Sequence, residues 1–262
     1  MLCDGPSIAN TDCLMRLLSL PLVAALAALG VICSPAAQAA APAKDSAAIL
    51  DADAHLVGWW KFDETSGKTA ADSAKPGHPA TLEGGLSFDT RSVDGRMGKA
   101  LKLEGSNEVV RVTGYKGVTG SGPRTVALWI KTKGSSGDLV TWGANDAGKM
   151  FNFGHIRGRI GVTPKSGYRY MNADLNDDAW HHVAVVIGEG SPPNLHDHVQ
   201  LFKDGEPKEP DGIGLLDLLP FETGDQLDVC IGQRFTGSID DLRVYDRALT
   251  EDEIKTLSKP AN

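Results

Sequence analysis

The chain has 262 residues, with 26 Lys and Arg against 34 Asp and Glu, a formal charge of −8, and four cysteines. This acidic balance argues against nucleic acid and anionic membranes as partners, since both select basic surfaces. It is compatible with an exported protein that binds divalent cations or neutral sugars, and the length is enough to bury a sizeable core.

From Met15 the chain reads MRLLSLPLVAALAALGVICSPAAQA: Arg16, an apolar run from Leu17 to Ile32, then Ala37-Gln38-Ala39. Those are the three parts of a cleavable signal peptide. The run is short for a membrane span of about 20 residues. Ile32 stands before Cys33 where a lipoprotein signal needs a small side chain. Met1 to Leu14 has no basic residue, so Met15 is the expected start. Residues 1–39 are thus expected to be removed, giving a secreted protein, extracellular or periplasmic, without membrane insertion. Cleavage after Ala39 also removes Cys3, Cys13 and Cys33. Cys230 is left with no intrachain partner. The Ala-rich residues 40–54 read as a linker, and residues 55–259 as one domain.

Within that domain, short β-like runs recur between Gly, Asp, Asn and Pro punctuation: LVGWWKF, KALKLEG, EVVRVTG, TVALWIKTK, DLVTWG, GRIGVT, WHHVAVVI, HVQLFKDG, LDVCIG and SIDDLRVY. In TVALWIKT, Val126, Leu128 and Ile130 share one face, and Thr125, Ala127, Trp129 and Lys131 the other. HHVAVVI is apolar on both faces, as a covered central strand requires. Asp204-Gly205 between two such runs is a strong hairpin signal. Many short strands without helical crossovers predict an all-β antiparallel sandwich. One short C-terminal helix is expected: Thr250 and Glu253 form a capping box, Ile254 and Leu257 anchor it, and the acids Glu251 to Glu253 suit its N-terminus.

The segments WWKFDETSGKTAADS, GKALKLEGSNEVVRV, TVALWIKT, WHHVAVV, LFKDGEP and FTGSIDDLRVYDRALTEDEIKTL, in that order from about Leu56 to Leu257, resemble the LamG-like jelly-roll family of the concanavalin A-like lectin/glucanase group. The resemblance implies a two-sheet jelly-roll sandwich with its first and last strands side by side. It also implies an extracellular recognition module, with a glycan or an extracellular protein as partner.

Acidic residues could serve catalysis. Glycanases need two carboxyl groups a few ångströms apart, which a sheet supplies from alternate positions of one strand. Asp204 and Glu206 flank a turn, Glu209 and Asp211 lie in a Pro-rich loop, and Glu251 and Glu253 belong to the helix cap. Asp240 and Asp241 are adjacent and, by alternation, face opposite ways. No same-face pair emerges, so a binding module is expected, with a polysaccharide-degrading enzyme as the remaining alternative.

By unbroken alternation Asp240 points with Leu242 and Val244, and Asp241 with Ile239, Arg243 and Tyr245. A carboxylate on a core face is costly unless paired or coordinated. If the terminal strands are neighbours, Asp63 comes near Asp240. With the Gly105 carbonyl, the two would form a hard-oxygen site for a structural Ca²⁺. The alternative is that Asp240 accepts backbone N–H groups at a strand end or pairs with Arg234 or Arg243. The histidines of LHDHV, His196 and His198, read as surface residues. His182 reads as a packed strand residue that hydrogen-bonds its neighbours.

For a glycan, the candidate contacts are Tyr168 and Tyr170 on one strand face with Asn172, and Trp142 before a loop carrying Asn145. Aromatic faces stack on sugar rings. The competing reading places aromatics in the core, where Trp59, Trp60, Phe62, Trp129 and Trp180 are expected.

Overall fold

The computed structural model describes residues 43–260 apart from 106, 135 and 215. The expected signal peptide and start at Met15 lie outside the described residues. Among the described residues, seventeen strands form two antiparallel sheets. The first sheet runs, edge to edge, Glu206–Lys208, Val199–Lys203, Trp180–Ile187, Arg124–Lys131, Thr236–Tyr245, Lys99–Glu104 and Ser92–Asp94. Leu56–Trp60 pairs along the upper part of Thr236–Tyr245, Trp59 opposite Arg243, so the first and last strands are neighbours. The second sheet runs Gly212–Ile213, Arg169–Asn172, Arg159–Val162, Met150–Ile156, Ser136–Gly143, Leu227–Ile231, Val109–Val112, Ala80–Glu83 and Thr69–Ala70.

The pleat explains the core. Alternate residues face inward, and Leu128 and Ile130 of one sheet meet Val110, Phe151, Phe153 and Ile231 of the other in one continuous apolar layer. Each such side chain contributes about 1.5–3 kcal/mol on burial.

A second apolar cluster lies on the outer side of the first sheet. Trp59, Ala127, Ala184, Phe202 and Tyr245 are covered there by Leu50, Ile254 and Leu257. Ile254 and Leu257 come from the expected C-terminal helix, Glu251–Leu257, whose capping box is formed. Leu50 comes from a helix, Ala43–Asp51, in the segment read as a linker. That segment is docked, with Arg243 pairing with Asp51 at 2.5 Å and Arg247 gripping Asp53 and Glu253 together. Short helical turns at Phe88–Arg91 and Leu195–His198 complete the helical content of the described residues.

The hairpin at Asp204-Gly205 is of the expected kind, with φ of 53° and 82° at the two central residues. Asp204 also accepts the backbone N–H of His182 at 3.0 Å. Among the described residues the second sheet has no such helical cover on its outer side, and this positions the site.

Candidate functional site

Strands of the second sheet alternate apolar-in and polar-out, and register lines the outward residues up. Thr81 stands opposite Arg111, Arg111 opposite Cys230, Cys230 opposite Thr141, and Thr141 opposite Asn152. The carbonyl of Asn152 accepts the Thr163 N–H at 2.9 Å, and the Thr163 hydroxyl lies 3.2 Å from the Tyr170 hydroxyl. A polar row therefore crosses the open face from Thr81 to Tyr170. A cleft of about 490 Å³ sits over its middle.

The groups in the cleft are held in place. Asp138 accepts from the Asn152 amide at 2.8 Å and from Arg234 at 2.5 Å. Arg111 reaches Glu83 at 3.0 Å and the Cys230 sulfur at 3.1 Å. Burial pushes the Cys230 thiol up despite the neighbouring guanidinium, so it stays protonated at neutral pH. Asp228 pairs with Lys116 at 2.8 Å, and that hydrogen bond holds its carboxyl below the usual range. Gly154 and Gly161 stand side by side in register, and Tyr170 packs over Gly161 so closely that a Cβ there would come within 2.7 Å of its ring. Such an arrangement offers fixed donors and acceptors to hydroxyl groups. Its two carboxylates are each engaged by a cation.

The expected glycan contacts divide. Tyr168 is 46% exposed, and its ring centroid lies 6.0 Å from that of Tyr170, which is buried against the face with its hydroxyl at Thr163. Trp142 faces the core instead. It stacks on Phe151 at 4.0 Å and donates its indole N–H to the Val118 carbonyl at 3.0 Å. Gly117, at φ +67°, lies so close to that ring that a Cβ there would come within 2.6 Å of it. Only the margin of Trp142 reaches the cleft. Asn145 lines the cleft and accepts from Lys165. Asn172 is exposed on the far side of Tyr170, opposite Arg159.

Missed by the sequence reading were Arg111, Asp138, Thr141, Asn152, Thr163, Cys230 and Arg234. A usable signal existed for several of them: a single polar or small residue between two apolar ones, as in Val110-Arg111-Val112 and Phe151-Asn152-Phe153.

At the other sheet, Asp63 and Asp240 line one pocket of about 330 Å³ with Met97 and Gly98. Asp240 Oδ2 accepts the backbone N–H groups of Arg96 and Met97 at 2.7 and 2.8 Å, while Oδ1 is buried without a hydrogen-bond partner among the described residues. Burial, with Asp241 and Asp63 adding repulsion, pushes the Asp240 carboxyl up to about 7. Asp63 accepts the Lys99 N–H at 2.8 Å. An orphaned carboxylate oxygen near a second carboxylate suits a hard cation.

Gly105 does not belong to this set. It sits beside Thr236, whose strand partner is Glu104, four residues along the strand from Asp240 and so roughly 13 Å away. The 95–98 loop is the backbone next to Asp240. No group of three His, Cys, Asp or Glu side chains among the described residues is placed to hold a metal, so further ligands would be backbone carbonyls.

The orientation expected for Asp240 is also corrected. The register shifts between Asp240 and Arg243, and Asp241 has φ +48°. This bulge resets the alternation. Asp240, opposite Trp129, faces outward, as do Arg243 and Tyr245; Leu242 and Val244 face the core with Ile239. Asp241 accepts from the Trp59 indole at 2.6 Å and from Arg243 at 3.0 Å.

Among the histidines, His196 pairs with Asp217 at 2.9 Å. His182 packs edge-on to Trp129 with centroids 5.3 Å apart, and its Nδ1 has no partner among the described residues.

Compared with known proteins, residues 104–255 match the Laminin_G_3 family model, described as the concanavalin A-like lectin/glucanases superfamily. The chain belongs to this superfamily. No curated protein matches it. Among solved structures it resembles domain 4 of AbnA, a GH43 extracellular arabinanase from Geobacillus stearothermophilus, in complex with arabinotriose. The identity is 21% and the TM-score 0.57, over 78% of this chain and 98% of that one.

It also resembles the botulinum neurotoxin serotype D ligand-binding domain in complex with N-acetylneuraminic acid, at 14% identity and TM-score 0.53 over 81% and 52% of the two chains. The binding domain of Paraclostridial Mosquitocidal Protein 1 matches at 14% and 0.52 over 76% and 52%. This chain thus spans about half the length of those toxin domains. At these identities the likeness is one of fold. Among the described residues no helix is long and apolar enough to cross a membrane.

Proposed function

We propose that this chain is a secreted, non-catalytic glycan-binding module whose site is the cleft on the open sheet, with a structural calcium ion held between Asp63 and Asp240. One observation carries the reading: Arg111, Cys230, Thr141, Asn152 and Thr163 present a continuous line of hydrogen-bonding groups on a sheet face without helical cover. Sugars need such preplaced polar groups beside an aromatic surface, and exposed Tyr168 supplies one. Neighbours solved with arabinotriose and with N-acetylneuraminic acid support the ligand class. Engagement of Asp138 by Arg234 and of Asp228 by Lys116 supports a non-catalytic role, because neither is poised as a free acid or base.

Titration calorimetry with arabinotriose, sialyllactose and cello-oligosaccharides tests this. At least one ligand is expected to bind, and Asn152→Ala with Thr163→Ala is expected to weaken it by about tenfold at unchanged melting temperature. Tyr168→Ala should weaken it further. Silence with every glycan, or full affinity in the variants, overturns the reading. Release of reducing ends from a polysaccharide would overturn its non-catalytic part. A second reading, a protein contact, is favoured by the loop carrying Leu216, Leu218 and Leu219, which are 49%, 64% and 46% exposed.

A further inference from the structure

The first sheet carries a second row of aligned side chains, on the face opposite the cleft of the second sheet. Trp180 stands across from Lys131, Lys131 across from Ser238, and Ser238 across from Lys102, on four adjacent strands. Their chain neighbours Ile130, Ile239, Leu101 and Leu103 point into the core, so Lys131, Ser238 and Lys102 face outward, and Trp180, directly opposite Lys131, shares their face. Strands lie about 4.8 Å apart, so the row extends roughly 14 Å from Trp180 to Lys102. It forms the floor of a cleft of about 430 Å³, beyond the area that the two helices cover.

The charges in this cleft are unevenly satisfied. Asp178 pairs with Lys133 at 3.0 Å, Asp94 with Lys99 at 2.8 Å, and Glu104 with Arg91 at 2.5 Å. Lys102 lies only at 3.7 Å from Glu104, and Lys131 has no carboxylate within ion-pair distance among the described residues. The acids are thus engaged from the rim while the central ammonium is available. Trp180 is half-buried and absent from both apolar clusters, so part of its indole borders the cleft. An aromatic surface at one end, two ammonium groups and a hydroxyl in line fit a ligand with an apolar ring face and regularly placed anionic groups.

We propose that this row is a separate binding site for acidic glycans, sugar chains bearing carboxylate or sulfate groups. A ring packs on Trp180, and the anionic substituents lie at Lys131 and Lys102 beside the Ser238 hydroxyl. Duplex DNA shares the regularly placed anions but keeps its base rings stacked inside the helix, where Trp180 cannot pack on one.

The test is calorimetry at low and at physiological salt with oligogalacturonate, a heparin oligosaccharide, neutral arabinan and duplex DNA. Binding of oligogalacturonate or heparin is expected, weakening as salt rises. Lys102→Ala with Lys131→Ala should lower affinity by about tenfold or more while leaving the melting temperature unchanged, because both side chains are solvent-accessible. Asn152→Ala, in the other cleft, should leave binding of oligogalacturonate and of the heparin oligosaccharide untouched, which separates this site from the one above. Binding of oligogalacturonate shows that carboxylates suffice, whereas binding of heparin alone, which carries both groups, shows that sulfate is needed. Absence of binding to both, or full affinity in the double lysine variant, overturns the proposal, as does a loss of neutral arabinan binding in that variant equal to the loss of acidic glycan. Duplex DNA bound as tightly as the glycans would overturn the ligand class.

Discussion

His182 is 2% exposed, between Trp129 and the Asp204 hairpin, and carries an unpartnered ring nitrogen. Burial first, then the nearby Arg243 charge, pushes its imidazole down to about 3, with Asp204 opposing. The folded protein therefore holds this side chain neutral where an unfolded chain, titrating near 6.5, would take up a proton. Stability is complete above that unfolded value and is lost as pH falls toward 3, with a contribution of about 2 kcal/mol gone by pH 5. Urea unfolding between pH 7 and 5 should show this slope, and His182→Gln should flatten it.

The sequence was legible at His182 to the extent that alternation put it on the face of Trp180 and Ala184. Its missing hydrogen bond was not legible, because whether a partner reaches a buried nitrogen depends on neighbouring strands. The aspartate pair shows the same limit. Asp241 adopts φ +48°, a region that Asp tolerates better than bulkier residues. That single backbone choice shifts which residues share a face from there on.

At the level of elements, the C-terminal helix was the most legible. Thr250 accepts from the Glu253 N–H at 3.3 Å, and the Glu253 carboxylate accepts from the Thr250 N–H at 2.8 Å. All of those signals are local. Thr250→Ala should cost about 1 kcal/mol in urea unfolding, in the usual range for a lost N-cap. Glu253→Ala should cost more, because Glu253 also pairs with Arg247.

The helix Ala43–Asp51 was illegible for the opposite reason. It is only nine residues long, and helices so short are marginal in isolation and form mainly through tertiary packing. What holds it is the burial of Leu50, with Asp51 on Arg243 and, just beyond its end, Asp53 on Arg247, partners nearly 200 residues away in the chain. A pattern within AKDSAAILD cannot report them.

Across the whole molecule, the two sheets differ in what covers them: helices pack on the outer side of the first, while the polar row of the second is open. The terminal strands meet at Trp59 and Arg243, and Asp63 and Asp240 line a pocket near that junction. A cation there would tie the beginning of the domain to its end. At calcium about a hundredfold above its dissociation constant the native state gains about 2.7 kcal/mol. Melting followed by circular dichroism should therefore rise by several degrees when calcium is added to chelator-treated protein. Asp240→Asn should remove that rise, and an unchanged melting temperature in the wild type would exclude the ion.

Local pattern in the chain sets the class of fold, the inward face of Arg124–Lys131, the hairpin at Asp204-Gly205 and the final helix. Each is written in near-neighbour patterns: a period of two, a turn dipeptide, a capping box. Only the tertiary structure decided which outward residues form rows, that Gly105 stands away from Asp240, and that Trp142 turns inward. Register between strands distant in the chain sets all three, and register is an energy of the assembled sheets that no single segment carries.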